Sequence, residues 1–152
     1  MTLMLENKQN GVLRVKVNIW VPSQQAYVKA IVIFDTGAYK TILDERLADL
    51  LQISRTTGSA TSVTAAGTIT TQNGTLPKMQ LGTKTLNDIP VNILRLPDEL
   101  ETYCILGMNV LREFDINVSN YSGTVTLTPM PLPAKYHIDN YSITLAIIEL
   151  EA

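Results

Sequence analysis

The sequence contains only one cysteine, Cys104, and only one histidine, His137. A chain with a single thiol cannot form an internal disulfide, so a reducing compartment is expected. A site with several histidine ligands is excluded within one chain, and a Ser-His or Cys-His nucleophile would depend on His137 alone. Cys104 lies in an apolar stretch and is expected in the core, whereas His137 follows a proline-rich connector and is expected at the surface.

The chain also has little excess of either sign of charge and no long hydrophobic run. The formal net charge is −2 and no Lys/Arg cluster exceeds two adjacent residues, so the chain lacks the electrostatic footprint of nucleic-acid or anionic-membrane binding. The apolar stretch at residues 143–150 is too short to span a bilayer, and the N-terminus does not resemble a secretory signal. We therefore expect a soluble, cytoplasmic protein with no nucleic-acid or membrane partner.

Strand patterns dominate what is present. Apolar and polar residues alternate over residues 14–21, and a second strand pattern runs over residues 26–34. Helix patterns are short: one is predicted to begin at Thr41 and stop near Ile53, with Asp44 in its capping box, and another covers residues 107–114. The sequence predicts a mostly all-β, closed barrel-like domain with one or two short helices.

Three prolines, at positions 129, 131 and 133, interrupt the strand pattern and mark a connector. The chain is accordingly divided into a domain over residues 1–128 and a segment over residues 129–152. Residues 142–150 are a last candidate strand, expected either at a barrel edge or at an interface between two copies of the chain.

The most informative tetrapeptide is Asp35-Thr36-Gly37-Ala38, which follows the apolar run at residues 30–34. A carboxylate at the end of such a strand is expected to sit against the core, where hydrogen bonds or a partner charge must offset the cost of ionisation. Gly37 permits a tight turn and a close approach of another group. The alternative for Thr36 and Gly37 is an ordinary turn between a strand and a helix.

A second element, Tyr-Cys-Ile-Leu-Gly at residues 103–107, follows about seventy residues later and precedes Met108-Asn109 and a short helix. With these two elements in this order, the chain resembles the retropepsin-like aspartic proteases, the single-domain relatives of the pepsin family. The resemblance implies an acid-protease fold, an endopeptidase acting on peptides or proteins, and a mechanism with no metal or cofactor.

One carboxylate is a poor catalyst of amide hydrolysis, because it cannot both accept a proton from water and donate one to the substrate. Two carboxylates about 3 Å apart can do so, since they share one proton. The sequence holds no second Asp-Thr-Gly or Asp-Ser-Gly. One chain therefore supplies half a site, and we expect a homodimer in which two copies of Asp35 meet.

The resemblance also implies roles for the neighbours of Asp35. Thr36 would hydrogen-bond across the dimer, Gly37 would line the substrate groove, and the Ala38 backbone would help to orient the acid pair. Leu106 and Gly107 would pack beside the Asp35 loop. The alternative for Gly107 is the first residue of a helix.

Residues 56–71 are small, β-branched and nearly uncharged. They are expected to form an exposed hairpin or a loop. The resemblance implies that this stretch is a flexible flap over the substrate, with its tip at Ala65, Ala66, Gly67 and Thr68.

Two departures from the family pattern affect substrate binding. Viral retropepsins commonly have two further acidic residues after the acid loop and an arginine after the downstream glycine, but Tyr39-Lys40 and Met108 stand in these places. Substrate backbone contacts in this region are therefore in question. The alternative function is a non-catalytic peptide-binding or scaffolding module that keeps the fold.

Overall fold

The computed structural model describes residues 1–6, 12–64 and 67–130. Within these residues the chain forms ten strands and two short α-helices. The strands are β1 (Thr2–Met4), β2 (Leu13–Val21), β3 (Ala26–Phe34), β4 (Thr41–Asp44), β5 (Thr56–Thr64), β6 (Gly67–Leu81), β7 (Lys84–Leu94), β8 (Cys104–Leu106), β9 (Phe114–Ser119) and β10 (Thr124–Pro129). The helices are α1 (Glu45–Leu50) and α2 (Met108–Leu111).

Six of these strands close into a barrel in the order β2-β3-β8-β4-β7-β6, and β5 pairs with the outer edge of β6. Closure comes from the pairing of β2 with β6, where Asn18 lies opposite Gln80 and Ile19 opposite Met79. The prediction of a mostly β, closed barrel-like fold with one or two short helices is confirmed.

Side chains that alternate between the two faces of the strands form two separate apolar clusters. Val32 and Phe34 of β3 point into the main barrel core, whereas Ile33 packs on the opposite face. Ile105 of β8 and Ile42 of β4 join Ile33 there, and they are neighbours in the strand register. Because side chains alternate with a period of two, the two clusters lie on opposite faces of these strands.

A separate three-stranded sheet has the order β1-β10-β9. The Met1 ammonium donates to the carbonyl oxygen of Leu127 at 3.0 Å, and the Leu127 N–H donates to the Met1 carbonyl oxygen at 2.8 Å. Sequence patterns do not indicate β1, because a strand of three residues is too short to show a period. Within the described residues, β9 has one unpaired edge.

Both helix predictions were wrong in their bounds. Thr41–Asp44 is a strand, and the helix predicted to begin at Thr41 begins at Glu45 and ends at Leu50. The strand forms because β4 has hydrogen-bonded neighbours on both sides, β7 and β8, so tertiary pairing outweighs local helix signals. The second helix, predicted over residues 107–114, covers only Met108–Leu111, since Phe114 begins β9.

Asp44 is the N-cap of α1 and is fully buried. Its carboxylate accepts hydrogen bonds from the backbone N–H and the guanidinium of Arg46 and from the N–H of Leu96. Burial by itself raises the pKa of Asp44, but the bonds from the Arg46 side chain and backbone and from Leu96 outweigh it and lower the pKa to about 2. Arg46 also binds Asp98 and lies over the Tyr103 ring, so the network ties β4 and α1 to the loop before β8.

The predicted connector beyond residue 130, His137 and the candidate strand at residues 142–150 lie outside the described residues. In the part of the chain that is described, no helix is long and apolar enough to cross a membrane.

We predict that Asp44→Asn lowers the free energy of unfolding by about 2–3 kcal/mol at neutral pH, because it weakens charge-assisted hydrogen bonds in a buried place. The folded pKa lies below the ordinary value of 3.8, so this contribution is present at neutral pH and is lost as the pH falls from 3.8 toward about 2. Urea unfolding at several pH values should show the gap between wild type and variant narrowing over that window. Asp98→Asn, at a largely exposed ion pair, should cost less than about 1 kcal/mol; equal losses in the two variants would contradict the assignment.

Candidate active site

The Asp35 loop begins where β3 leaves the barrel. The Asp35 N–H donates to the carbonyl oxygen of Leu106 at 3.0 Å, and the Ala38 N–H donates to the carbonyl oxygen of Asp35 at 3.1 Å, which closes a turn. The Gly37 N–H donates to Oδ1 of Asp35 at 2.9 Å. One carboxylate oxygen is thus held by the loop itself, while Oδ2 has no hydrogen bond to any residue that the structure describes.

Asp35, Thr36 and Gly37 are all exposed in the single chain. The prediction that the Asp35 carboxylate packs against the core was therefore wrong for one copy of the chain. The physical reason is that Phe34 is the last buried residue of β3, and the turn after it lies at the barrel rim. A carboxylate at this position is accessible to a group from another molecule.

Gly107 allows α2 to start directly against this loop. A Cβ at position 107 would lie 2.6 Å from the carbonyl carbon of Lys40 and 2.8 Å from the carbonyl oxygen of Ala38. Real Cβ atoms are not found so close to backbone atoms, so only glycine fits. The approach lets the N–H of Met108 donate to Ala38 at 2.8 Å and the N–H of Asn109 donate to Tyr39 at 3.2 Å. Leu106, in turn, is fully buried in the main core beside Phe34.

Two residues of this arrangement, Thr41 and Asn109, were missed by sequence reasoning. Oδ1 of Asn109 accepts from both the N–H and the hydroxyl of Thr41 at 2.8 Å, and Nδ2 of Asn109 donates to the carbonyl oxygen of Pro90 at 2.9 Å. The buried Thr41 hydroxyl also accepts from the Gly107 N–H at 3.1 Å. Asn109 immediately after Gly107-Met108 was the available signal, but its partners are distant in sequence and only the fold identifies them.

The hairpin of β5 and β6 contains part of the predicted flap. Gly67 lies opposite Thr64, and Thr68 lies opposite Val63. Ala65 and Ala66 lie outside the described residues. The role of these four positions as a flap remains a prediction.

A cavity of about 510 Å³ lies at the end of β8 away from Asp35. Its lining consists of Arg46, Asp98, Glu101, Thr102 and Tyr103. Tyr103 shares a strand face with Ile105, because Cys104 and Leu106 between and beyond them belong to the main core. The face of β8 that carries Ile105 therefore continues to this polar cavity.

Two other kinds of site, a cysteine nucleophile and a metal centre, find no support among the described residues. Burial raises the pKa of the Cys104 thiol to about 12, so this residue is a protonated core side chain at neutral pH and not a nucleophile. In the described ranges, no three His, Cys, Asp or Glu side chains come together as a metal site would require.

Residues 25–113, more than half of the chain, match the family described as "gag-polyprotein putative aspartyl protease". The chain belongs to this aspartyl-protease family. The matched range includes the Asp35 loop, the hairpin, Gly107 and α2.

Solved structures of aspartyl proteases have the same fold. A retropepsin-like aspartic protease from Rickettsia conorii is similar over 84% of this chain and 88% of that chain, at 20% identity and a TM-score of 0.56. The EIAV protease in complex with the inhibitor HBY-793 is similar over 71% of this chain and 92% of that chain, at 15% identity and a TM-score of 0.50. No curated protein matches the sequence. At these identities the structures show the fold alone.

We predict that Asn109→Ala lowers the free energy of unfolding by about 2–3 kcal/mol, because the buried N–H and hydroxyl of Thr41 lose their acceptor. The local consequence should be faster amide hydrogen exchange at Thr41. Asn117→Ala, at an exposed position of β9, serves as the control and should change neither quantity. Unchanged exchange at Thr41 in the Asn109 variant would show that Asn109 does not hold the loop.

We predict that Gly107→Ala destabilises the chain by about 3 kcal/mol, because the new methyl group meets backbone atoms that cannot move independently. Gly74→Ala is the matched comparison. Its Cβ would approach Cδ1 of Ile93 at 2.7 Å, Cγ2 of Ile53 at 2.9 Å and the carbonyl oxygen of Ser54 at 3.3 Å. The two closest atoms belong to side chains, which can shift more readily than backbone, so the cost should be smaller, about 1–2 kcal/mol. Thermal unfolding of both variants measures the difference, and an equal cost would contradict the close packing at Gly107.

Proposed function

We propose that this protein is an aspartic endopeptidase that acts as a homodimer, with one Asp35 from each copy forming the catalytic pair. A single observation carries the proposal: the chain has one Asp-Thr-Gly-Ala loop, on the family's fold, and its carboxylate is exposed at the barrel rim. A complete acid pair therefore needs a second copy of the same loop.

The chemistry follows from two carboxylates that share one proton. Like charges about 3 Å apart cannot both ionise, so one carboxylate stays charged and the other stays protonated. The charged carboxylate accepts a proton from water as the water attacks the peptide carbonyl, and the protonated carboxyl donates to the carbonyl oxygen. Collapse of the resulting intermediate breaks the C–N bond, with a proton delivered to the leaving nitrogen.

The hydrogen bond from Gly37 orients each carboxylate. It holds Oδ1 of Asp35 within its own loop, which leaves Oδ2 for the partner carboxylate or the water. In the proposed dimer, Thr36 forms hydrogen bonds between the two loops, and the exposed Gly37 lies along the substrate. The unpaired edge of β9 is available for contact between copies.

An extended peptide fits the remaining features. In the proposed complex it lies between the Asp35 loops and the β5–β6 hairpins, whose tips at residues 65–68 close over it as flaps. Ile33, which lies two residues before Asp35, forms an apolar cluster with Ile42 and Ile105, and we infer from it a preference for apolar side chains near the scissile bond.

We predict that Asp35→Asn lowers kcat/KM for peptide cleavage by about a thousandfold or more, while the dimer and the thermal stability stay unchanged. Asp98→Asn, another exposed aspartate, is the control and should keep its activity. The measurement combines a peptide-library cleavage assay with sedimentation of both variants, and the specific activity of the wild type should rise with protein concentration as the dimer forms.

Retained turnover in Asp35→Asn, or full activity in a strict monomer, would refute the proposal. Tight peptide binding by the wild type without cleavage over a broad pH range would identify the protein as a non-catalytic peptide-binding module instead.

A further inference from the structure

Three neighbouring strands of the barrel, β2, β3 and β6, contain no Asp or Glu, although the chain as a whole has more acidic than basic residues. The lysines of these strands all lie on the outer surface of the barrel. Their neighbours in sequence, Val17, Ala30 and Met79, pack in the main core, and side chains alternate between the two faces of a strand. The outer surface, which we call the lysine face, consists of Lys16, Trp20, Tyr27, Lys29, Ile31 and Lys78.

Strand pairing brings the lysines of this face together. Lys16 lies opposite Ile31 and Lys29 lies opposite Asn18, so the two lysines are diagonal neighbours with Cα atoms about 7–8 Å apart. On β6, Nζ of Lys78 lies 4.3 Å from the centre of the Trp20 ring. The three lysines are far apart in sequence, which is why the charge pattern along the chain does not indicate a basic patch.

The positive charge of the lysine face is largely uncompensated. Among the residues that the structure describes, no carboxylate forms an ion pair with Lys29 or Lys78. Lys16 has one such partner, Oε1 of Glu6, at the long distance of 3.9 Å. A surface with one sign of charge raises the local concentration of oppositely charged partners. The lysine face is therefore complementary in charge to an acidic partner.

The aromatic residues of the face favour a protein partner over a nucleic acid. Trp20 packs edge-to-face with Tyr27, with ring centres 5.1 Å apart, and Lys78 lies over the Trp20 ring. The larger ring is thus already engaged within the chain, whereas single-stranded nucleic acids bind by stacking bases on open rings. The lysine face also contains no arginine, the residue that binds phosphate with two parallel hydrogen bonds.

The exposed residues of β3 indicate the pattern of the partner. Tyr27 and Ile31 are 37% and 39% exposed, and the exposed Lys29 lies midway between them at a spacing of two residues. An extended segment repeats its side chains on one face with the same two-residue period. A segment with an acidic residue at one position and apolar residues two positions before and after it would match all three.

We propose that the lysine face binds an extended acidic segment of another protein, in which Asp or Glu alternates with apolar residues. Lys29 lies six residues before Asp35, about 20 Å away along β3. The site is therefore separate from the candidate active site, and the inference does not rest on the proposed function.

The test is a selection from a phage-displayed library of random nine-residue peptides on the full chain carrying Asp35→Asn, which prevents cleavage if the proposed function holds. Selected peptides should carry Asp or Glu with apolar residues two positions away. Fluorescence anisotropy of a labelled selected peptide should show binding that weakens with added salt. The double variant Lys16→Glu/Lys29→Glu should weaken that binding by about tenfold or more.

Lys84→Glu is the matched control, because it makes the same change of charge at a cleft beside α2 and off the lysine face. It should change the affinity by less than about twofold. An equal loss in this control would show an effect of net charge alone and would overturn the inference, as would a selection that yields no acidic peptides or binding that survives in the double variant.

Two other occupants are separated by further measurements. Tighter binding of a single-stranded twenty-nucleotide RNA than of any selected peptide, lost in the double variant, would assign the face to nucleic acid and overturn the inference. Weaker self-association of the double variant in sedimentation would assign the face to a contact between copies, with the same consequence. A wild type that cleaves no peptide would refute the proposed function and leave the lysine face unaffected.

Discussion

The hydrogen-bonded joint between the Asp35 loop and the segment that starts α2 is the constraint on which the candidate site depends. Leu106 accepts from the N–H of Asp35, and the N–H of Met108 donates to Ala38, so one short segment holds both ends of the loop. The contact exists because Gly107 has no side chain. Since most of these bonds join backbone atoms, the shape of the loop does not depend on which side chains it exposes.

Asp35 and Asp44 show how the same local pattern yields two different carboxylates. Each follows a run of apolar residues at the end of a strand. Asp44 is enclosed by Arg46 and Leu96, which hold it ionised and make it part of the framework. Asp35 receives one hydrogen bond to its side chain and stays open to solvent. The groups that surround each carboxylate, and not the strand before it, therefore decide whether the acid is structural or accessible for chemistry.

The openness of Asp35 also explains why one chain is a half-site in the proposed mechanism. A buried lone carboxylate would be costly to keep charged, whereas a carboxylate at the rim remains solvated until a second copy covers it. Assembly then brings two like charges together, and that repulsion is what holds a proton between them. In the proposed mechanism the acid pair therefore forms only when two chains assemble.

The sequence by itself determined the class of fold, because strand alternation is a local property, and its Asp-Thr-Gly-Ala signal led to the prediction of Asp35 as the acid and of a second copy of the chain. It misplaced the start of α1, the burial of Asp35 and the extent of α2, and it missed Thr41 and Asn109. Only the tertiary structure decided these points. Strand pairing of residues 41–44 with β7 and β8, and the bonds from Asn109 to Thr41 and Pro90, join groups far apart in the chain, and no local pattern encodes a contact whose partner is remote.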